Sequence, residues 1–140
     1  MDFYNIAASL DEYAKKAPYQ AAIYFPVGRD KDDRAKYAAL SFKELSELSD
    51  KYAHGFADYG ITKGERTLVM IRPSIDFIAV VFALMKIGAV PILIDPGMGR
   101  KSFLQCVAET EPVNMIGIPA AHILHFFIRK PFATVKRQIT

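Results

Sequence analysis

Two unbroken apolar runs in the middle of this chain flank a third, longer one. From Glu65 to Pro96 the sequence reads ERTLVMIRPSIDFIAVVFALMKIGAVPILIDP. Thr67 to Arg72 is short, β-branched and apolar, as a strand covered on both faces requires, and Pro73 ends it. Ile75 to Lys86 is apolar nearly all round, which predicts a buried helix. Ser74 can accept a hydrogen bond from a free N–H of its first turn, and Asp76 suits the positive end of its dipole. Gly88 stops the helix, and Val90 to Ile94 forms a second apolar strand that ends at Asp95 and Pro96. Two such strands joined by a helix predict a parallel βαβ unit with a right-handed crossover.

The flanking pattern extends this unit at both ends. Asn5 to Ala17 has Ile6, Leu10, Tyr13 and Ala14 near helical spacing, with Asp11, Glu12, Lys15 and Lys16 toward water. Gln20 to Pro26 and Tyr37 to Leu40 read as strands of an antiparallel hairpin, joined by the charged turn GRDKDDRAK (28–36). Ser41 to Tyr59 is a helix opened by a Ser41/Glu44 capping box, with an inward stripe of Leu45, Leu48, Tyr52, Phe56 and Tyr59, and closed by Gly60. Beyond Pro96, a helix is expected from Phe103 to Glu111, with Ser102 and Gln105 as a second capping box. A third parallel strand follows over Val113 to Ile118, then a helix from Pro119 to Ile128, and a further strand begins at Val135. The expected fold class is α/β: a parallel βαβαβ sheet flanked by helices, preceded by an N-terminal helix and a β-hairpin. Residues 1–64 form the leading part and 65–140 the βα core of a single unit, without repeats or linkers.

Composition narrows the function classes. Half of the 140 residues are hydrophobic and the formal net charge is only +3, so the chain is not disordered by composition. Lys and Arg are dispersed except for Arg129, Lys130, Lys136 and Arg137, too sparse for the usual nucleic-acid footprint. No nucleic-acid partner is expected. The single Cys106 allows no internal disulfide and reads as a buried structural thiol in a reducing, cytoplasmic setting. The N-terminal stretch lacks the long apolar run of a secretory signal, and Lys86, Gly88 and Pro91 interrupt the only stretch resembling a membrane span.

No metal site is expected. Asp30, Asp32 and Asp33 could in principle bind a cation, but they sit in a charged turn without apolar anchors and read as solvated. His122 and His125 are neighbours on one predicted helix, yet no Cys, Asp or Glu follows to complete a ligand set. His54 lies off its helix's inward stripe and reads as a surface residue. One loop has motif character. Gly97, Gly99, Arg100, Lys101 and Ser102 follow a strand and precede a helix, where free N–H groups and the dipole favour an anion. The two cations would otherwise be unfavourable there, which points to a phosphate or carboxylate partner. The loop is too short for a Walker motif and lacks the third glycine of a dinucleotide fingerprint.

Three segments, in order and spacing, resemble the N-terminal end of the AMP-forming acyl-activating enzymes, the adenylation superfamily that includes acyl-CoA synthetases. They are LSFKEL (40–45), ITKGERTLVMI (61–71) and LMKIGAVPILIDP (84–96). DPGMG (95–99) and IGIPAAH (116–122) further resemble its β-lactone synthetase-like branch, which acts on long-chain acyl groups in olefin biosynthesis. The resemblance implies a partial adenylation-domain fold and a parent ligase that uses ATP and Mg2+ to activate a fatty acid as acyl-adenylate. The family's Ser/Thr/Gly-rich phosphate loop, its adenine and ribose motifs and its catalytic lysine have no counterpart in this sequence. No catalytic residue is therefore assigned, no cofactor is expected on this chain, and the chain alone is expected to be inactive. Its partner would be the rest of the adenylation domain, and exposed apolar surface predicts self-association. The alternative is a small α/β module that binds a nucleotide or phosphorylated ligand at Gly97–Ser102.

Overall fold

A computed structural model describes residues 5–140. Residues 1–4, which open the stretch read above as lacking a leader, lie outside the described residues. The elements are α1 (Ala7–Lys16), β1 (Ala21–Arg29), β2 (Ala35–Ser41), α2 (Phe42–Asp58), β3 (Arg66–Met70), α3 (Ile75–Lys86), β4 (Val90–Ile92), α4 (Arg100–Thr110), β5 (Asn114–Gly117), α5 (Pro119–Phe127) and β6 (Arg137–Ile139). Strands β3 to β6 form one parallel sheet in the order β4-β3-β5-β6, and β1 and β2 form a separate antiparallel hairpin.

Alternation along the central strands sorts their side chains between two cores. Val69 and Ile116 face Phe56 of α2 and Val80, Ala83 and Leu84 of α3. Leu68 and Met115 face Phe103 and Val107 of α4 and Phe132 of the short 3-10 turn Lys130–Phe132. Helix α3 has a second neighbour layer, because Ala79 packs with Leu10 and Leu45 beneath the hairpin residues Ile23 and Leu40. That double contact explains why its sequence is apolar nearly all round.

Two polar clusters tie the layers. Lys86 Nζ lies 2.7 Å from Asp11 Oδ1 and 2.6 Å from Asp50 Oδ1, joining α1, α2 and α3. At the N-terminal ends of the strands, Arg137 donates to Glu65 at 3.0 Å and to Asn114 Oδ1 at 3.1 Å, while the Asn114 amide donates to Thr67 Oγ1 at 3.2 Å. The Ser41/Glu44 capping box forms, and Ser74 caps α3 by accepting from the Phe77 N–H at 3.0 Å.

Several local expectations shift. Helix α4 starts at Arg100, so Ser102 lies inside its first turn and makes no cap. The Asp95 carboxylate instead accepts from Gly97 N–H, and Gly99, at φ +90°, turns the chain straight into the helix. Gln105 donates to Glu109 along the same helix. Strand β4 ends at Ile92. The α1 face is set by Ala7 and Leu10, whereas Ile6 and Tyr13 are exposed, Tyr13 stacking on Phe42 at 5.1 Å. Tyr59 is also exposed, and its hydroxyl donates to the Gln138 carbonyl. Cys106 is half-buried rather than buried.

Candidate functional site

The chain leaves β3 toward β4 on one side and then returns past β3 to build β5 and β6 on the other. Connections therefore diverge from β3, and in open parallel sheets such a switch opens a crevice beyond the carboxyl ends of the strands. Here that crevice has a volume of about 750 Å3. Met70 and Ile71 line it from the end of β3, Ile94 from beyond β4, Phe77 from α3, Phe103 from α4 and Leu124 from α5. Arg72 and Asp95 are the charged side chains of its lining. Gly117 closes β5 against α5, where a Cβ would stand 2.9 Å from the Ala121 Cβ and 3.3 Å from the Met70 Cβ. The absent side chain thus lets α5 sit tightly on the strand end that shapes the crevice.

Its lining is mostly apolar. Four groups away from the crevice have displaced pKa values. For Asp11, burial pushes the carboxyl up, but the hydrogen bonds from Lys86 and Ser46 and the attraction of Lys86 and Lys15 outweigh it and hold the group low. Glu44 is held low by the Ser41 N–H and hydroxyl. Burial, then the hydrogen bond to Asp76, raises the Tyr52 hydroxyl. Glu65 is lowered by the Thr62 N–H, with Asn114 and Arg137 adding to the effect against a smaller opposing push from burial. All four contacts are structural: they cap a helix, pin a turn or join two elements.

The loop singled out for an anion borders this crevice through Asp95. Gly97 and Met98 belong to the 3-10 turn Pro96–Met98, and Arg100, Lys101 and Ser102 form the exposed first turn of α4. The five residues are thus together in space at one helix start, but the Gly97 N–H is already given to Asp95 at 2.8 Å. Asp30 accepts from the N–H groups of Asp32 and Arg34 and closes the hairpin turn, and Asp33 pairs with Arg29. The two histidines of α5 have separate surroundings. His122 Nδ1 lies 2.9 Å from Gln138 Oε1, and its Nε2 lies 3.1 Å from the carbonyl oxygens of both Gly117 and Ile139. His125 packs edge-on against Phe132. His54 is exposed. Among the described residues, no three His, Cys, Asp or Glu side chains gather as a metal site would require.

Sequence reading missed the crevice itself. Ile71, Phe77, Ile94, Phe103 and Leu124 look like ordinary core positions until the strand order is known. The only local signal is that two of them, Ile71 and Ile94, fall at the carboxyl ends of predicted strands.

Comparison with known proteins agrees with this architecture. A family model described as AMP-binding enzyme matches residues 10–137. Olefin beta-lactone synthetases are 46% identical over 127 residues in Stenotrophomonas maltophilia and 46% over 132 residues in Xanthomonas campestris pv. campestris. Those matches cover 89% and 93% of this chain but only 23% and 24% of the relatives, so the chain spans about a quarter of their length. Among solved structures, a long-chain-fatty-acid-CoA ligase from Archaeoglobus fulgidus superposes with a TM-score of 0.76 at 22% identity, over 96% of this chain and 27% of the other. A Mycobacterium tuberculosis fatty acyl CoA synthetase gives 0.76 at 20% identity, over 96% of this chain and 26% of the other. At those identities the structural likeness speaks for the fold.

Proposed function

The chain belongs to the AMP-binding enzyme family, and from that premise we propose that it is the N-terminal portion of an AMP-forming carboxylate ligase of the olefin β-lactone synthetase kind. The observation that carries this reading is 46% identity sustained over 127 residues to a relative of that name. In such a ligase the carboxylate attacks the α-phosphorus of ATP, an acyl-adenylate forms and pyrophosphate leaves. Closing a β-lactone then requires a hydroxyl on the carbon β to the carboxyl, which displaces AMP. The substrate class is accordingly a long-chain 3-hydroxy acid.

We assign the binding of ATP and Mg2+ to other parts of the enzyme. The described residues bring together no three potential metal ligands, and the Gly97 N–H is committed to Asp95. Stabilising a triphosphate takes converging donors and a cation, which we place on residues outside this chain. The part proposed for this chain is the apolar crevice, which accommodates the hydrocarbon portion of the acid, with Arg72 of its lining assigned to the carboxylate.

Two measurements test the reading. The 140-residue chain should show no carboxylate-dependent ATP–pyrophosphate exchange; exchange above background overturns the assignment of catalysis to other residues. A fluorescent long-chain fatty acid should bind the chain and lose affinity on Leu93→Asp, an exposed lining residue whose change spares the core. Equal binding by both proteins removes the crevice from the proposal.

A further inference from the structure

We propose that helix α5 is an interfacial element that docks the protein on an anionic lipid bilayer. This inference does not rest on the ligase reading. Its basis is a juxtaposition on the outer side of α5. Ala121 and Leu124 turn inward, toward the sheet and the crevice. Ile123, Phe126 and Phe127, at helical spacing on the opposite side, are 59%, 64% and 77% exposed. Phe126 and Phe127 meet edge to face at 5.4 Å, so the exposed rings form one apolar ridge. Burying such a ridge is favourable, and nothing among the described residues buries it.

Charge decides what kind of surface fits. From Pro112 to Thr140 the chain contains no Asp or Glu, against Arg129, Lys130, Lys136 and Arg137. Arg137 is committed to Glu65. Among the described residues, Arg129, Lys130 and Lys136 make no ion pair. Arg129 lies over the Phe126 ring, 5.7 Å from its centroid, so a cation stands directly beside the ridge. Protruding aromatic and aliphatic side chains backed by cations at the helix end match a bilayer interface: the rings enter the acyl boundary and the cations meet lipid phosphates. A nucleic acid would match the cations but gives Ile123 nothing to contact. A neutral protein groove would match the ridge but leaves the cations without a role.

Vesicle co-sedimentation of the 140-residue chain tests this, using phosphatidylcholine vesicles with and without phosphatidylglycerol. Binding is expected on the anionic vesicles and should weaken at high salt. Phe126→Ser/Phe127→Ser and, separately, Arg129→Gln/Lys130→Gln should each lower the partition coefficient by about tenfold or more. The second variant touches no core side chain, and far-UV circular dichroism shows whether either has lost its fold. Because the chain has no tryptophan, Phe127→Trp supplies a single reporter, expected to shift to the blue on anionic vesicles. Absence of binding to anionic vesicles overturns the proposal, as does binding that neither double variant weakens. A dimer in light scattering that the Phe126/Phe127 variant breaks also overturns it, by assigning the ridge to a protein interface. So does binding of a DNA oligonucleotide without vesicle binding.

Discussion

Replacing Lys86 by Met removes one charge and keeps most of the aliphatic stem. Lys86 is only 10% exposed, whereas its partners Asp11 and Asp50 are 45% and 52% exposed. Breaking a fully buried ion pair costs about 3–5 kcal/mol. The half-exposed carboxylates reduce that, since each solvent-screened pair contributes about 1 kcal/mol or less. Two pairs are lost, and Asp11 and Asp50 are left to repel each other. Ser46 keeps its hydrogen bond to Asp11. The expected loss is about 2 kcal/mol, or about 6 °C in Tm for a domain of this size. Urea unfolding followed by circular dichroism should show a lower midpoint with an unchanged slope. Acid adds a second test. Asp11 has its carboxyl held below the ordinary 3.8 in the folded chain, so the unfolded chain takes up its proton first. The stabilisation is full above that ordinary value and is lost as pH falls through the lower, folded one. The gap between wild type and Lys86→Met should therefore narrow as the medium is acidified. A variant as stable as wild type at neutral pH would refute the reasoning, showing that desolvating Lys86 costs as much as its pairs return.

Other outcomes can be checked alongside. Ser41→Ala removes the acceptor for the Glu44 N–H at the start of α2 and should cost about 1 kcal/mol in chemical denaturation. Gly117→Ala forces a Cβ to within 2.9 Å of Ala121, a neighbour with no flexible tip to move aside, and should cost about 1–3 kcal/mol while displacing α5 from the crevice. Its readout is thermal unfolding together with fatty-acid binding. Calorimetric titration of the chain with ATP and with AMP should give no heat dependent on Arg100 and Lys101, because Asp95 holds the Gly97 N–H. Heat lost on Arg100→Ala/Lys101→Ala would instead establish the loop as an anion site.

How far the sequence is legible depends on how local the physics is. The βαβ run from Thr67 to Ile92 is plain because apolar strands and a wholly apolar helix have few other solutions. The Ser41/Glu44 box is plain because both partners lie within one turn. Ser102 and Gln105 carry the same spacing and mislead, because Asp95 captures the nearby Gly97 N–H and Gly99 can turn at positive φ. Ile6 and Tyr59 look inward by periodicity but fall past the edge of the packed layers. The crevice is illegible in principle from spacing alone: Ile71, Ile94 and Leu124 converge only because the chain, after β4, crosses back past β3 and lays β5 on its other side.

That return has a consequence for synthesis. Thr67 on the interior strand meets Asn114, 47 positions further along the chain. At roughly 5–20 residues per second, a ribosome needs about 2–9 s to deliver the missing neighbour. For that interval one flank of the nascent β3 has unpaired N–H and C=O groups beside Leu68 and Val69. It is a brief window in which a chaperone, or a second nascent chain, can capture what β5 will later cover.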